Sequence, residues 1–286
     1  GIVLNLEEDN VGAVLLGPEP VITTPVAKKV AELTAKSANK LMADFDDNIL
    51  EIGENIIVRG EIRGRGNVVR IGATRNPQRI NLKIYGNDNH VVIGKRSLMQ
   101  DLVVEIGSKR WKSSRTRLTI GEYFSVGSRG RILLPNSGNV IEIGDSCMFS
   151  KSVQLRGGEF PHMIFDKESG AYLDESDGIF IGDHAWIGEG VFISKAVTIP
   201  RECIVGTRSV VTKRFTEEHT VIAGNPARVV KRGVQWVATE FALEADHPEL
   251  KENFSKTRIS QINSAEAKAG GGHQPDESSG KHNAVD

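Results

Sequence analysis

The chain has 286 residues, with 36 Lys plus Arg against 37 Asp plus Glu and a formal net charge of -1. That balance removes the bulk electrostatics of a nucleic-acid binder and leaves only local basic patches to explain. No apolar run approaches the roughly 18 residues needed to cross a bilayer, and the first residues lack a charged-then-apolar leader, so the expectation is a cytoplasmic protein without a transmembrane segment.

Residues 1–22 hold two short apolar stretches and no motif. Thr24 suits an N-cap, Pro25 suits the first helical position, and Val26, Val30, Leu33, Ser37 and Leu41 fall on one face. The pattern predicts a helix over about 25–43, inside an N-terminal segment 1–47, that caps the open end of the domain behind it. From residue 50 an aliphatic-Gly pair recurs at Ile52, Ile71, Ile93, Ile106, Ile120 and Ile143, at intervals of 19, 22, 13, 14 and 23 residues. Some strict sixes appear within this stretch, as Ile120, Val126, Ile132 and then Ile143, Phe149, Leu155.

The pattern becomes regular at Ile181, Ile187, Ile193, Ile199, Val205 and Val211, with small residues Gly182, Gly188, Ser194 and Gly206 following four of these anchors. The fifth position of each unit carries Ala185, Val191, Val197, Cys203 or Ser209. A period of six fits neither a helix nor a plain strand, but it suits a short strand plus a corner. Three units make one coil of about 18 residues, so residues 48–215 are expected to form a three-sided parallel β solenoid filled with Ile and Val. A β sandwich would alternate by two with no Gly behind each anchor. Cys147 and Cys203 both sit at fifth positions, which reads as reduced core thiols.

The repeat breaks over 157–177, a length of loop that points to function. That loop contains Phe160-Pro-His162-Met-Ile-Phe-Asp166. Two basic clusters precede it: Arg59, Arg63, Arg65 and Arg70, and then Lys109, Arg110, Lys112, Arg115 and Arg117 around Trp111. They read either as a solvated surface or as a landing site for an anionic glycan, a phosphate-bearing carrier or a membrane face. Beyond Phe215, an extension over 216–260 is expected to hold a short strand, a turn at Asn225-Pro226, a basic helix and a further helix within 237–260. Residues 261–286 read as a disordered tail.

The repeats from Ile181 to Phe215, together with His162-Met-Ile-Phe-Asp166 ahead of Ile181-Gly-Asp-His-Ala-Trp186-Ile-Gly, resemble the hexapeptide-repeat acyltransferases, in the branch of maltose, galactoside and polysaccharide O-acetyltransferases. The resemblance covers residues 141–233 and departs from the branch at Met163, where Pro is usual. It implies an all-β, left-handed parallel β-helix; the handedness comes from the resemblance, since parallel crossovers are otherwise right-handed.

The resemblance also implies roles. His162 would be the general base that takes the proton of a sugar hydroxyl as it attacks a thioester, and the backbone at Gly188 and Glu189 would face the oxyanion. Trp186 would lie along the acetyl and pantetheine end of acetyl-CoA. Gly206, Thr207, Thr212, Lys213, Arg228 and Lys231 would hold the rest of the donor, the cations meeting its phosphates. Asp166 would either orient the imidazole or cap a turn. His184, at a corner, reads as a solvated residue.

The implied assembly is a homotrimer with His162 of one chain facing a donor held partly by the next. The implied acceptor is a sugar in a surface polysaccharide, with no nucleic acid and no metal, although peripheral membrane contact stays open. Transfer to an amino sugar or an antibiotic, or a non-catalytic interaction role, would use the same scaffold. A zinc enzyme would need three converging His ligands, and only His162 and His184 of seven lie near the strong repeats.

Overall fold

The computed structural model describes residues 40–43, 47–239, 242–243 and 247–270. Ile and Val at successive anchors dictate its architecture. Ile181, Ile187, Ile193, Ile199, Val205 and Val211 are all buried, as are the fifth-position residues from Ala185 to Ser209. Each such aliphatic side chain contributes on the order of 1.5–3 kcal/mol by leaving water. Cys147 and Cys203 lie in the same column as free, buried thiols. Burial pushes the Cys147 thiol up to about 12.

The chain winds over three faces, each a sheet of parallel strands except for the last strand of the second face. The first face takes β2 (Ile49–Ile52), β4 (Val68–Ile71), β6 (His90–Ile93), β9 (Arg117–Ile120), β12 (Val140–Ile143), β15 (Ile179–Ile181) and β18 (Val197–Ile199). The second takes β7 (Leu98–Met99), β10 (Ser125–Val126), β13 (Met148–Phe149), β16 (Trp186–Ile187), β19 (Ile204–Val205), β21 (Thr220–Gly224) and β22 (Ala227–Arg232). The third takes β1 (Lys40–Ala43), β3 (Ile56–Arg63), β5 (Gln78–Tyr85), β8 (Leu102–Ile106), β11 (Arg131–Leu134), β14 (Gln154–Arg156), β17 (Phe192–Ile193) and β20 (Val210–Val211).

Corners repeat as faithfully as strands. The fourth residue of a hexapeptide turns left-handed, with φ from 51° at His184 to 68° at Gly190, and Ser152, Ala196, Glu202 and Arg208 fall in between. The second residue sends its N–H to the following coil, as Gly182 N to Ile199 O at 2.8 Å and Gly188 N to Val205 O at 2.8 Å. The fourth sends its N–H to the preceding coil, as His184 N to Asp145 O at 2.8 Å and Arg208 N to Glu189 O at 2.8 Å. Stacked coils therefore satisfy one another's backbones, and a shift at any anchor would orphan several of these groups.

The three-sided form is complete only from β7 onward. In the first two coils β2 passes to β3, and β4 to β5, with no second-face strand between. β3 and β5 instead run eight residues each. β3 bends at Gly60, φ 126°, where a Cβ would stand 2.0 Å from Leu82 O. Only glycine allows that approach.

Other differences follow from local chemistry. Lys40–Ala43, the C-terminal end of the expected capping helix, is a strand that pairs parallel with β3 and buries Leu41; the remainder of that helix lies outside the described residues. The basic segment after Asn225-Pro226 is also a strand. β22 turns back antiparallel on β21, and β21 pairs with β19, so the second face continues to Arg232 rather than stopping at Phe215. Successive β-branched Val229 and Val230 favour that extended form. The chain divides after Gln235 into two units. In the second unit, helix α1 runs Pro248–Gly270, past the expected end at 260 and into the expected tail, where Ala265, Ala267 and Ala269 favour helix.

Candidate active site

The long interruption leaves at the corner between the third and first faces, after β14, and returns at β15. Its far part folds back on itself: Phe165 bridges Tyr172, Leu173 N bonds Ile164 O at 2.8 Å, and the two rings pack 5.4 Å apart. Asp166 caps the tip. Its Oδ1 accepts from Ser169 N at 2.7 Å, Ser169 Oγ at 2.7 Å and Glu168 N at 3.1 Å, bonds that hold its carboxyl below the usual range. Of the two roles open to Asp166, the structure thus supports the turn cap.

His162 is exposed, and its ring makes no hydrogen bond or ion pair among the described residues. What fixes its place is the backbone just before it. Asp174, with a side chain 0% exposed, accepts from Asn136 Nδ2 at 2.8 Å, Glu159 N at 3.0 Å, Tyr172 Oη at 3.3 Å and the Lys195 ammonium. Asn136 Oδ1 in turn accepts Phe160 N at 3.1 Å, and His162 N bonds Glu159 O at 3.2 Å. Burial alone would raise the Asp174 carboxyl, but Lys195, Asn136 and the Glu159 amide outweigh it and hold it low. Sequence reasoning missed this node, since its members lie 15, 21 and 38 residues apart.

Most of the expected donor residues gather at another corner, between the second and third faces. Trp186 is half-buried on β16, with its indole N–H 3.4 Å from Ser150 Oγ. Gly188 and Glu189 form the corner that follows, and Gly206 and Thr207 form the one stacked beneath it. The Gly188 amide cannot serve an oxyanion, because it already bonds Val205 O at 2.8 Å; a Cβ there would meet Thr207 N at 2.7 Å. The Glu189 and Thr207 amides make no hydrogen bond among the described residues. On the neighbouring corner, by contrast, the Glu122 and Asp145 amides are capped by Asp145 Oδ1 at 2.7 Å and Asp183 Oδ1 at 2.9 Å.

β22 completes this corner. Trp186, Ile204, Val221 and Lys231 stand in one register row across four strands, about 14 Å from first to last at the usual strand spacing. Arg228 pairs in register with Ala223, whose Cβ would stand 3.0 Å from a Cβ placed on Gly206. Arg228 and Lys231 are exposed and make no ion pair among the described residues. Thr212 and Lys213 fall elsewhere: they follow β20, at the same edge of the third face as the His162 loop, with the Lys213 ammonium 5.4 Å over the Phe215 ring. One chain therefore brings Trp186, Glu189, Gly206, Thr207, Arg228 and Lys231 to one corner and His162, Thr212 and Lys213 to the next.

His184 is not a solvated residue. Its Nδ1 lies 2.8 Å from Glu202 Oε2, since residues 18 apart stack on successive coils. The basic clusters are likewise engaged within the chain: Arg70 with Glu51 at 2.7 Å, Lys109 with Glu61 at 3.2 Å, Arg117 with Glu142 at 3.0 Å, and Arg110 over Trp111. Among the described residues no group of three His, Cys, Asp or Glu side chains could hold a metal ion, and no helix is long and apolar enough to cross a membrane.

No family model matches the chain. Among known proteins it is 30% identical over 209 residues to the polysialic acid O-acetyltransferase of Neisseria meningitidis, covering 67% of this chain and 96% of that protein. It is 35% identical over 154 residues to the polysialic acid O-acetyltransferase of Escherichia coli O1:K1, covering 54% of this chain and 46% of that one, so it spans less than half of that relative's length. The crystal structure of the polySia-specific acetyltransferase NeuO superposes with a TM-score of 0.57 at 24% identity, over 77% of this chain and 95% of that one.

Proposed function

The chain belongs to the hexapeptide-repeat acyltransferase superfamily, with its left-handed parallel β-helix, and on that premise we propose that it transfers an acetyl group from acetyl-CoA to a sugar hydroxyl of a polysaccharide. The observation that carries this reading is the match to the Neisseria meningitidis protein over 96% of its length.

In this reaction His162 takes the hydroxyl proton as the oxygen attacks the thioester carbonyl, and passes it to the departing thiol. The open Glu189 amide donates to the oxyanion in place of Gly188. Trp186 lies along the acyl end of the donor, and Arg228 and Lys231, some three strands away, meet its phosphates. Because the histidine loop and this donor corner occupy different edges of the third face, the site closes between copies: His162 of one chain reaches the donor corner of a second, in a homotrimer. Support for a loop that reaches outward comes from Met163, Ile164, Phe165 and Leu173, all exposed apolar residues on it.

Coenzyme A at 100 times its dissociation constant should stabilise the chain by about 2.7 kcal/mol, seen as a rise in Tm. His162→Ala should keep that rise while turnover on a glycan acceptor falls by roughly 10² to 10⁴. Full turnover by His162→Ala would remove the imidazole from the reaction, and no rise in Tm with the wild-type chain would remove the donor.

A further inference from the structure

Beside the base of the histidine loop, on the outer side of the third face, lies a cavity of about 340 Å³ that none of the residues assigned above accounts for. Its floor is Leu133, which points away from the solenoid core and is nevertheless only 9% exposed. Two insertions wall it: Trp111, from the stretch between β8 and β9, and Phe160, from the long loop, pack edge to face with centroids 6.4 Å apart. Arg131, Gln154 and Arg156 rise from β11 and β14 at the rim.

We propose that this cavity binds one pyranose unit of the acceptor glycan, an assignment that rests on the sugar O-acetyltransferase reading. A pyranose presents C–H faces, which pack on an aromatic wall, and adjacent hydroxyls, which suit planar groups with paired donors or acceptors. Trp111 with Phe160 supplies the first, and two guanidinium groups with a carboxamide supply the second. Both arginines are held in place: Arg131 donates to Glu105 at 3.0 Å and Arg156 to Glu159 at 3.3 Å. Each guanidinium carries five N–H donors, so donors remain for a ligand.

The volume is at the small end of the range for small-molecule sites, about 300–1,000 Å³, which suits one sugar unit with its chain neighbours outside. Pro161 lines the cavity and His162 is the next residue, with its Cα about 3.8 Å further on. A unit bound here lies against the loop residue that immediately precedes His162.

The test uses saturation-transfer NMR on the full chain with a polysialic acid oligomer and a neutral glucan oligosaccharide, together with acceptor kinetics on the same glycans. The wild-type chain should bind at least one of them. Trp111→Ala and Arg131→Met should each weaken that binding and raise the acceptor KM by roughly tenfold or more, while the Tm rise with coenzyme A is retained. Trp111 stands on an exposed corner insertion, so its truncation threatens the fold little, and Arg131→Met keeps most of the side chain's bulk. Unchanged binding and KM in both variants, or no binding of either glycan by the wild-type chain, overturns the assignment. Binding that depends on Trp111 without any acetyl transfer upholds the cavity and sinks the proposed reaction; transfer that is indifferent to Trp111 and Arg131 does the reverse.

Discussion

Asp174 anchors the loop that carries His162 and takes no direct part in the proposed chemistry. Its carboxylate gathers Lys195, Asn136 and the Glu159 amide, and so fixes the two residues before Pro161 on which the position of His162 depends. Because its folded pKa is lowered, the stability it contributes is fully present above the unfolded value near 3.9 and is lost as pH falls through the folded one. Asp174→Asn should therefore cost about 1–3 kcal/mol in urea unfolding at pH 7, and the gap to wild type should narrow as the pH falls below about 4. Turnover should fall by roughly tenfold at neutral pH, through misplacement of the loop, while the Tm rise with coenzyme A survives. A gap that stays constant from pH 7 to pH 3 would show that Asp174 is not an ionised anchor. His162 was singled out in the sequence by the family resemblance of the loop that carries it. Asp174 was not, since its partners become neighbours only once the coils have stacked.

The strands and corners carry a second polar device, a buried amide ladder at the corner between the third and first faces. Asn48, Asn67, Asn89, Thr116 and Asn139 are all buried there. Asn67 Nδ2 bonds Asn48 Oδ1 at 3.0 Å, Asn89 Nδ2 bonds Asn67 Oδ1 at 2.9 Å, and Thr116 Oγ1 bonds Asn89 Oδ1 at 2.9 Å. Asn89 also donates to Ser113 O at 3.0 Å and accepts Thr116 N at 3.0 Å. Asn89→Ala leaves these buried groups unpaired and should lower the unfolding free energy by about 2–4 kcal/mol, against which a loss below about 0.5 would deny the ladder any structural weight. The signal for it was present in the chain: each of these residues stands four positions before an Ile-Gly pair, at Ile52, Ile71, Ile93, Ile120 and Ile143. Attention to aliphatic anchors hides it, because a polar residue between repeats reads as loop. The same bias toward periodicity reads β22 as a helix from its basic residues, where the pairing that makes it a strand comes from β21.

At the scale of the whole molecule, the solenoid separates the parts of its own proposed site. The third face near β17 and β20 is only two residues wide by strand, yet the His162 loop leaves one edge of that face while Glu189, Gly206 and Arg228 line the other. A rigid stack of coils cannot bring those edges together, since the backbone hydrogen bonds between coils hold the corners in register. A closed ring of identical chains can, because a head-to-tail contact sets one edge of a chain against the other edge of its neighbour. Mixing two inactive variants separates these cases. His162→Ala lacks the base but keeps the donor corner, and the pair Trp186→Ala with Lys231→Glu lacks the corner but keeps the base. Refolded together at equal amounts, the two should regain about a quarter of wild-type activity, the share of sites that draw a sound loop from one variant and a sound corner from the other. Sites built within one chain would regain none, because no chain in the mixture carries both halves.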